Sequence, residues 1–105
     1  MSSELKKADE RKDNKSEIFL KGEVDIYTSQ NLKERLYAVL DETNTDIRIN
    51  CTELTYIDST GLGVLVGALK KAKQTGRSII ISDLKDNIKK LFLITGLDKL
   101  FIIEG

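Results

Sequence analysis

The chain has 105 residues, 40% of them hydrophobic and 32% charged, which fits one domain around one core and lies near the soluble globular average. It holds no His and a single cysteine, Cys51, so an imidazole base, a Ser-His-Asp or Cys-His pair, a His- or Cys-rich metal site and an intrachain disulfide are all excluded. The net charge is zero and the longest uninterrupted non-polar run, Gly61 to Leu69, spans nine residues, against about 20 for a membrane-crossing helix.

Residues 1–15 carry only Met1, Leu5 and Ala8 as apolar side chains and lack the apolar segment of a signal peptide. They are expected to form a frayed end or a weak edge strand ahead of a domain over 16–105, in a soluble, cytoplasmic protein. Ile18, Phe19 and Leu20 read as a short strand ending at Gly22, and Glu23-Val24-Asp25-Ile26-Tyr27 leads out of it. Thr28 or Ser29 can cap a helix in which Leu32, Leu36, Val39 and Leu40 recur at helical spacing. Ile47, Ile49 and Cys51 alternate with Arg48 and Asn50 as a half-buried strand does.

After Leu54 to Ile57 comes Asp58-Ser59-Thr60-Gly61-Leu62-Gly63, and a second helix follows with Leu62, Leu65, Val66, Leu69 and Ala72 apolar. Lys70, Lys71, Lys73 and Arg77 gather at its carboxyl end, where cations complement the helix dipole. The unalternating run Ile79-Ile80-Ile81 suits a strand covered on both faces. Ser82 or Asp83 is expected to open a third helix carrying Ile88, Leu91, Phe92 and Thr95, with Gly96 as its left-handed C-cap. Leu100 to Ile103 closes the chain as a strand. This alternation predicts an α/β domain with a mostly parallel or mixed sheet of four to five strands and three to four helices.

The zero net charge conceals an asymmetry. Residues 18–59 hold four basic and eight acidic groups, and residues 60–105 hold eight basic and four acidic. No stretch has the clustered Arg and Lys with interleaved aromatics of a nucleic-acid surface.

The segment Tyr56 to Gly63 joins a strand to a helix, and a hydroxyl there has two compatible uses. Ser59 or Thr60 can cap the helix, a bond worth about 1 kcal/mol. Alternatively, Ser59 accepts a phosphoryl group, because free N–H groups and the positive dipole end make a helix start tolerant of an anion. Gly61, Gly63 and Gly67 each weaken the helix by about 1 kcal/mol relative to Ala, so a compensating need is implied. Gly63 and Gly67 suit close packing on the sheet; Gly61 and Gly63 would keep the surface low around Ser59. The dinucleotide fingerprint, the P-loop and the Gly-x-Ser-x-Gly elbow are all absent. Asp25 and Asp58 could be imagined as an acid and base pair, although Asp near a turn is more often a turn-former or cap.

Gly22-Glu23-Val24-Asp25, then Tyr56-Ile57-Asp58-Ser59-Thr60-Gly61-Leu62-Gly63 about 30 residues later, then Leu91-Phe92-Leu93-Ile94-Thr95-Gly96-Leu97, resemble the anti-sigma factor antagonists of bacteria, single-domain members of the STAS fold. The resemblance covers residues 16–103. The Ser59-Thr60 pair looks more like the general-stress, sigma-B branch than the sporulation branch, which tends to carry Ser-Ser.

The resemblance implies partner switching. The unphosphorylated antagonist binds an anti-sigma factor that is also a serine kinase, and so frees a sigma factor. Phosphorylation on Ser59, or less favourably Thr60, dissolves the complex, and a PP2C-type phosphatase restores it. Carried over by position, Asp25, Ile26, Tyr27 and Thr28 lie beside Asp58, Ser59, Thr60, Gly61, Leu62 and Gly63 at the partner surface. The same resemblance implies no catalytic residue, cofactor, metal, nucleic acid or membrane, and a monomer or weak dimer. Two rivals remain: a STAS scaffold subunit of a stress-sensing complex, and a receiver-like domain phosphorylated on Asp58.

Overall fold

The organising strand is the second, and its ten residues serve two neighbours in turn. In a computed structural model, which describes residues 4–7 and 15–105, six strands form one sheet. They are β1 (Glu4–Lys7), β2 (Lys15–Val24), β3 (Asp46–Asn50), β4 (Leu54–Ile57), β5 (Ile79–Ser82) and β6 (Ile102–Glu104). The order is β1-β2-β3-β5-β6, with β1 antiparallel to β2 and the other pairings parallel.

The first half of β2 pairs with β3, from Lys15↔Asp46 to Phe19↔Asn50. Its last residues then pair with β4, as Gly22↔Leu54, Glu23↔Tyr56 and Val24↔Ile57. The register shifts between Gly22 and Glu23, and Gly22 takes φ 77°, a value that a residue lacking Cβ adopts without strain. Strand β2 therefore runs well past the expected Ile18–Leu20 in both directions. Of the charged lead-in over 1–15, Glu4–Lys7 and Lys15 are seen, both within strands. Residues 1–3 and 8–14 lie outside the described residues.

Three helices make the crossovers that parallel neighbours require: α1 (Ser29–Glu42), α2 (Ser59–Lys73) and α3 (Asp86–Thr95). Leu32, Leu36, Val39 and Leu40 of α1 pack in one core with Leu62, Leu65, Ala68, Leu69 and Ala72 of α2 and Ile88 and Phe92 of α3. Across from them lie the inward residues Ile18, Leu20, Ile47, Ile49, Ile79 and Ile81. Every residue of β5 is buried, as its unalternating sequence suggests. Ile80, paired with Arg48 on one side and Ile102 on the other, is 3% exposed although it stands outside the core cluster.

On that second face Arg48 reaches Glu104 of β6 and lies 3.4 Å from Glu17 of β2. The hydrogen bond to Glu104 raises the Arg48 pKa above its ordinary value. The group is part-exposed, so the pairings hold side chains in register more than they stabilise the fold.

Two boundaries differ from the sequence expectation. Neither Ser82 nor Asp83 opens α3. Ser82 completes β5 opposite Glu104, and Asp83 turns with φ 60° while its N–H bonds the Glu104 carbonyl, so the helix begins at Asp86. The last strand starts at Ile102 because Leu97–Lys99 forms a 3-10 turn. Gly96 is the left-handed C-cap of α3, at φ 75°.

The ends of α1 and α2 are tied by Arg77, which is buried and donates from Nη1 to the Thr43 carbonyl at 2.7 Å and from Nε to Thr75 Oγ1 at 2.8 Å. Arg77→Met keeps the apolar stem but leaves the buried Thr43 carbonyl without that donor. The expected loss is about 1–3 kcal/mol of stability, read as a lower urea midpoint at unchanged m-value.

Candidate functional site

Because β2 and β4 run parallel and their last residues pair, the turns that leave them lie side by side at the carboxyl end of the sheet, where open α/β sheets place ligands. The Asp58 N–H donates to the Val24 carbonyl at 3.1 Å, so the pairing continues into the second turn.

Both turns are built around an aspartate. Asp25 Oδ1 accepts from the N–H groups of Tyr27 and Thr28 at 2.9 and 3.1 Å, and the Asp25 N–H donates to Thr28 Oγ1 at 3.0 Å. Thr28 occupies the N-cap position of α1, yet its hydroxyl turns back to the Glu23 carbonyl and Asp25 instead of capping the helix. With the backbone closed on Asp25, Ile26 and Tyr27 are thrown outward, 61% and 86% exposed.

In the second turn Asp58 is the N-cap of α2. Its backbone is extended and its Oδ1 accepts from the Gly61 N–H at 3.1 Å. The sequence reading put Ser59 or Thr60 in this role. Asp wins because its carboxylate one residue earlier reaches the same orphan amides and also brings negative charge to the positive end of the helix. Ser59 and Thr60 are therefore the first helical residues, both exposed, and no hydrogen bond ties the Ser59 hydroxyl to another described residue. Each aspartate carboxylate is engaged by backbone N–H groups of its own turn, which makes the two of them turn-formers rather than an acid and base pair.

The glycines divide differently from the expectation. Gly61 is the one pressed onto the sheet: a Cβ there would lie 2.6 Å from Val24 Cγ1 and 2.7 Å from Ile57 Cγ1. Gly67 faces α1, where a Cβ would meet the Tyr37 hydroxyl at 2.8 Å. At Gly63 a Cβ would meet nothing within 4 Å. Gly61 and Leu62, expected at the partner surface, are both buried, whereas Asp25 to Thr28 and Asp58 to Thr60 come together at the exposed end, with Gly63 one turn further along α2.

A shallow groove of about 330 Å³ runs away from Thr60 between the two helices. Its α1 wall is Ser29, Gln30, Lys33 and Tyr37, and its α2 wall is Thr60, Gly63, Val64 and Gly67. Lys33 and Lys71 both sit over the Tyr37 ring, their Nζ atoms 5.6 and 5.5 Å from its centroid. The sequence reading missed this wall. Gln30, Lys33 and Tyr37 recur at i, i+3 and i+7 on the polar face of α1, a spacing that could have revealed a shared stripe. Cys51 contributes no reactive thiolate, since burial pushes its thiol pKa up to about 12.

Two adjoining aspartate-closed turns, exposed apolar side chains and a shallow polar groove form a surface suited to binding another molecule. A family model described as the STAS domain matches residues 6–104. The anti-sigma-B factor antagonist of Listeria monocytogenes is 40% identical over 96 residues, covering 91% of this chain and 84% of that protein. The one of Bacillus subtilis is 38% identical over 93 residues, covering 89% and 84%. Among solved structures, an anti-sigma factor antagonist of Mycobacterium paratuberculosis superposes with TM-score 0.80 at 26% identity over 98% of this chain and 86% of that one. A Thermotoga maritima protein reaches 0.83 at 21% identity over 98% and 86%, and the Bacillus cell fate determinant SpoIIAA in its phosphorylated form reaches 0.69 at 22% over 97% and 90%; these two show the fold alone. The chain thus belongs to the STAS domain family, among its anti-sigma factor antagonists. Such proteins are regulators, not enzymes.

Gly61→Ala forces a methyl group against Val24 and Ile57 of the paired strand ends. The variant is expected to lose about 1–3 kcal/mol in denaturant titration, whereas Gly63→Ala keeps or raises the midpoint.

Proposed function

We propose that this antagonist is a partner switch set by one phosphoryl group on Ser59. The observation that carries the reading is that Asp58, not Ser59, caps α2, so the Ser59 hydroxyl is exposed and unengaged at the helix start. In the unphosphorylated state the surface formed by Asp25 to Thr28, Asp58 to Thr60, Gly63 and the α1–α2 groove binds an anti-sigma factor that is also a serine kinase, and a sigma factor is released. The relatives named anti-sigma-B factor antagonists support the general stress response as the setting, and the existence of SpoIIAA in a phosphorylated form supports phosphorylation as the control.

The chemistry asks little of this chain. Ser59 Oγ attacks the γ-phosphorus of ATP, its proton passes to a base on the kinase, and ADP leaves. A PP2C-type phosphatase returns the hydroxyl in the cytoplasm. The phosphate adds about 1.5–2 negative charges beside Asp58. Backbone N–H groups of the first turn and the helix dipole accommodate that anion, so the fold persists and the interface changes. Moving from 99% to 1% bound takes about 5.5 kcal/mol of differential affinity, and like charges brought together at an interface cost several kcal/mol. The engagement of both Asp25 and Asp58 by backbone amides speaks against a receiver-like phosphoaspartate.

Incubation with the kinase and ATP is expected to add one acid-stable phosphoryl group, mapped to Ser59 by mass spectrometry, with helical circular dichroism unchanged and kinase binding lost. Ser59→Ala should bind constitutively and Ser59→Asp weakly. A phosphoryl group still gained by Ser59→Ala would move the acceptor to Thr60, and a large loss of helical signal on phosphorylation would refute an interface mechanism.

Gly63 supplies a separate probe of the surface. Gly63→Arg adds a side chain into open space on the groove wall, so calorimetry should show a native melting profile together with at least tenfold weaker kinase binding, a loss of about 1.4 kcal/mol. Wild-type affinity in that variant would remove the groove from the interface.

A further inference from the structure

At the other end of α2 lies a second concavity that the partner surface does not use. Its floor is Val66 and Leu69 of α2 and Leu100 from the segment leading into β6, and its rim is Lys70, Lys73 and Gln74. The space is about 430 Å³, within the roughly 300–1,000 Å³ typical of small-molecule sites. Along the axis of α2 the groove begins at Val66, about 10 Å from Ser59, and reaches Lys73, about 21 Å away.

The packing of the chain end explains why the floor is open. Phe101 turns into the core and meets Phe92 edge-on at 6.0 Å, while its neighbour Leu100 stays 50% exposed on the groove side. The rim is one-signed. Lys70 and Lys73 have no carboxylate partner among the described residues, and no Asp or Glu lines the groove, whereas their neighbour Lys71 is paired with Asp41 at 3.1 Å on the side toward α1. Val66, Leu69, Lys70 and Lys73 recur at i, i+3, i+4 and i+7, so a single helix face presents apolar surface below and two ammonium groups above.

We infer that this groove binds an anionic amphiphile, with an acyl chain against Val66, Leu69 and Leu100 and a carboxylate head between Lys70 and Lys73. Charge complementarity fixes the sign of the head group, and the apolar floor fixes the tail. The Gln74 amide can donate a further hydrogen bond to the head. The short cavity suits a single chain better than a protein helix, which would need anchors spread over several turns.

The test is titration of the full-length, 15N-labelled protein with sodium decanoate, followed by amide shifts. The expected result is saturable change confined to residues 66–74 and the neighbourhood of Leu100, with Ser59 and Thr60 unmoved. Affinity should rise about fourfold per methylene from butyrate upward until the floor is covered. The double variant Lys70→Gln, Lys73→Gln should bind about tenfold more weakly, and Leu100→Ser should flatten the chain-length dependence, both with native circular dichroism. Decyltrimethylammonium, with the same tail and opposite charge, should not saturate. Four results overturn the proposal: shifts that do not saturate or do not map to the groove; equal binding of decyltrimethylammonium; undiminished decanoate affinity in the double Gln variant; or occupation of the groove by an acidic amphipathic peptide when decanoate fails.

Discussion

The pairing of the last residues of β2 with β4 is the constraint on which the functional end of the molecule rests. Val24 meets Ile57, and the Asp58 N–H bonds the Val24 carbonyl, so the two strand ends stop in step. That in turn brings the Asp25 and Asp58 turns together. The arrangement tolerates no side chain at Gly61, because the helix start is pressed directly on Val24 and Ile57. A missing Cβ is what lets an exposed serine begin a helix this close to the sheet, and the stability cost of glycine in a helix is the counterpart of that approach.

Much of this was legible from the amino-acid order, and the failures have physical causes. Alternation of Ile47, Ile49 and Cys51, the heptad-like spacing of α1 and the Gly96 cap report burial and backbone geometry that act locally, so they read correctly. The N-cap of α2 did not, because Asp58, Ser59 and Thr60 are all good caps and only the position of the preceding strand end decides among them. The start of α3 failed for a related reason: Ser82 is claimed by pairing with Glu104, a contact 22 positions away that no local pattern announces. The glycine roles were exchanged because helical spacing shows which residues share a face but not which face meets the sheet.

Helix α2 then appears as a two-ended element. Its N-terminal end carries a capping aspartate and an exposed serine, and its C-terminal turns carry an apolar strip under Lys70 and Lys73, which have no carboxylate partner among the described residues. Asp58 at one end of this helix and Lys70, Lys71 and Lys73 in its last turn thus set opposite charges along a single element. Between them the helix is held by core packing and, through Arg77 and Thr43, to the end of α1. Rigid support of this kind suits the proposed switch, in which a change confined to one side chain sets the presence or absence of an interface and need not be transmitted through the fold.

The open space at Gly63 has an evolutionary consequence. Where antagonists of one family coexist, each must be kept from the wrong partner, and specificity of that sort is often achieved by obstruction as well as attraction. A position on the proposed partner groove where a side chain can grow without touching the core is a site at which lineages can diverge in partner choice while keeping the same scaffold. Gly61, two residues earlier, has no such freedom. If the proposed partner surface holds, crosstalk and foldability fall to separate glycines of a single motif, and duplicated copies can become insulated from each other without first becoming unstable.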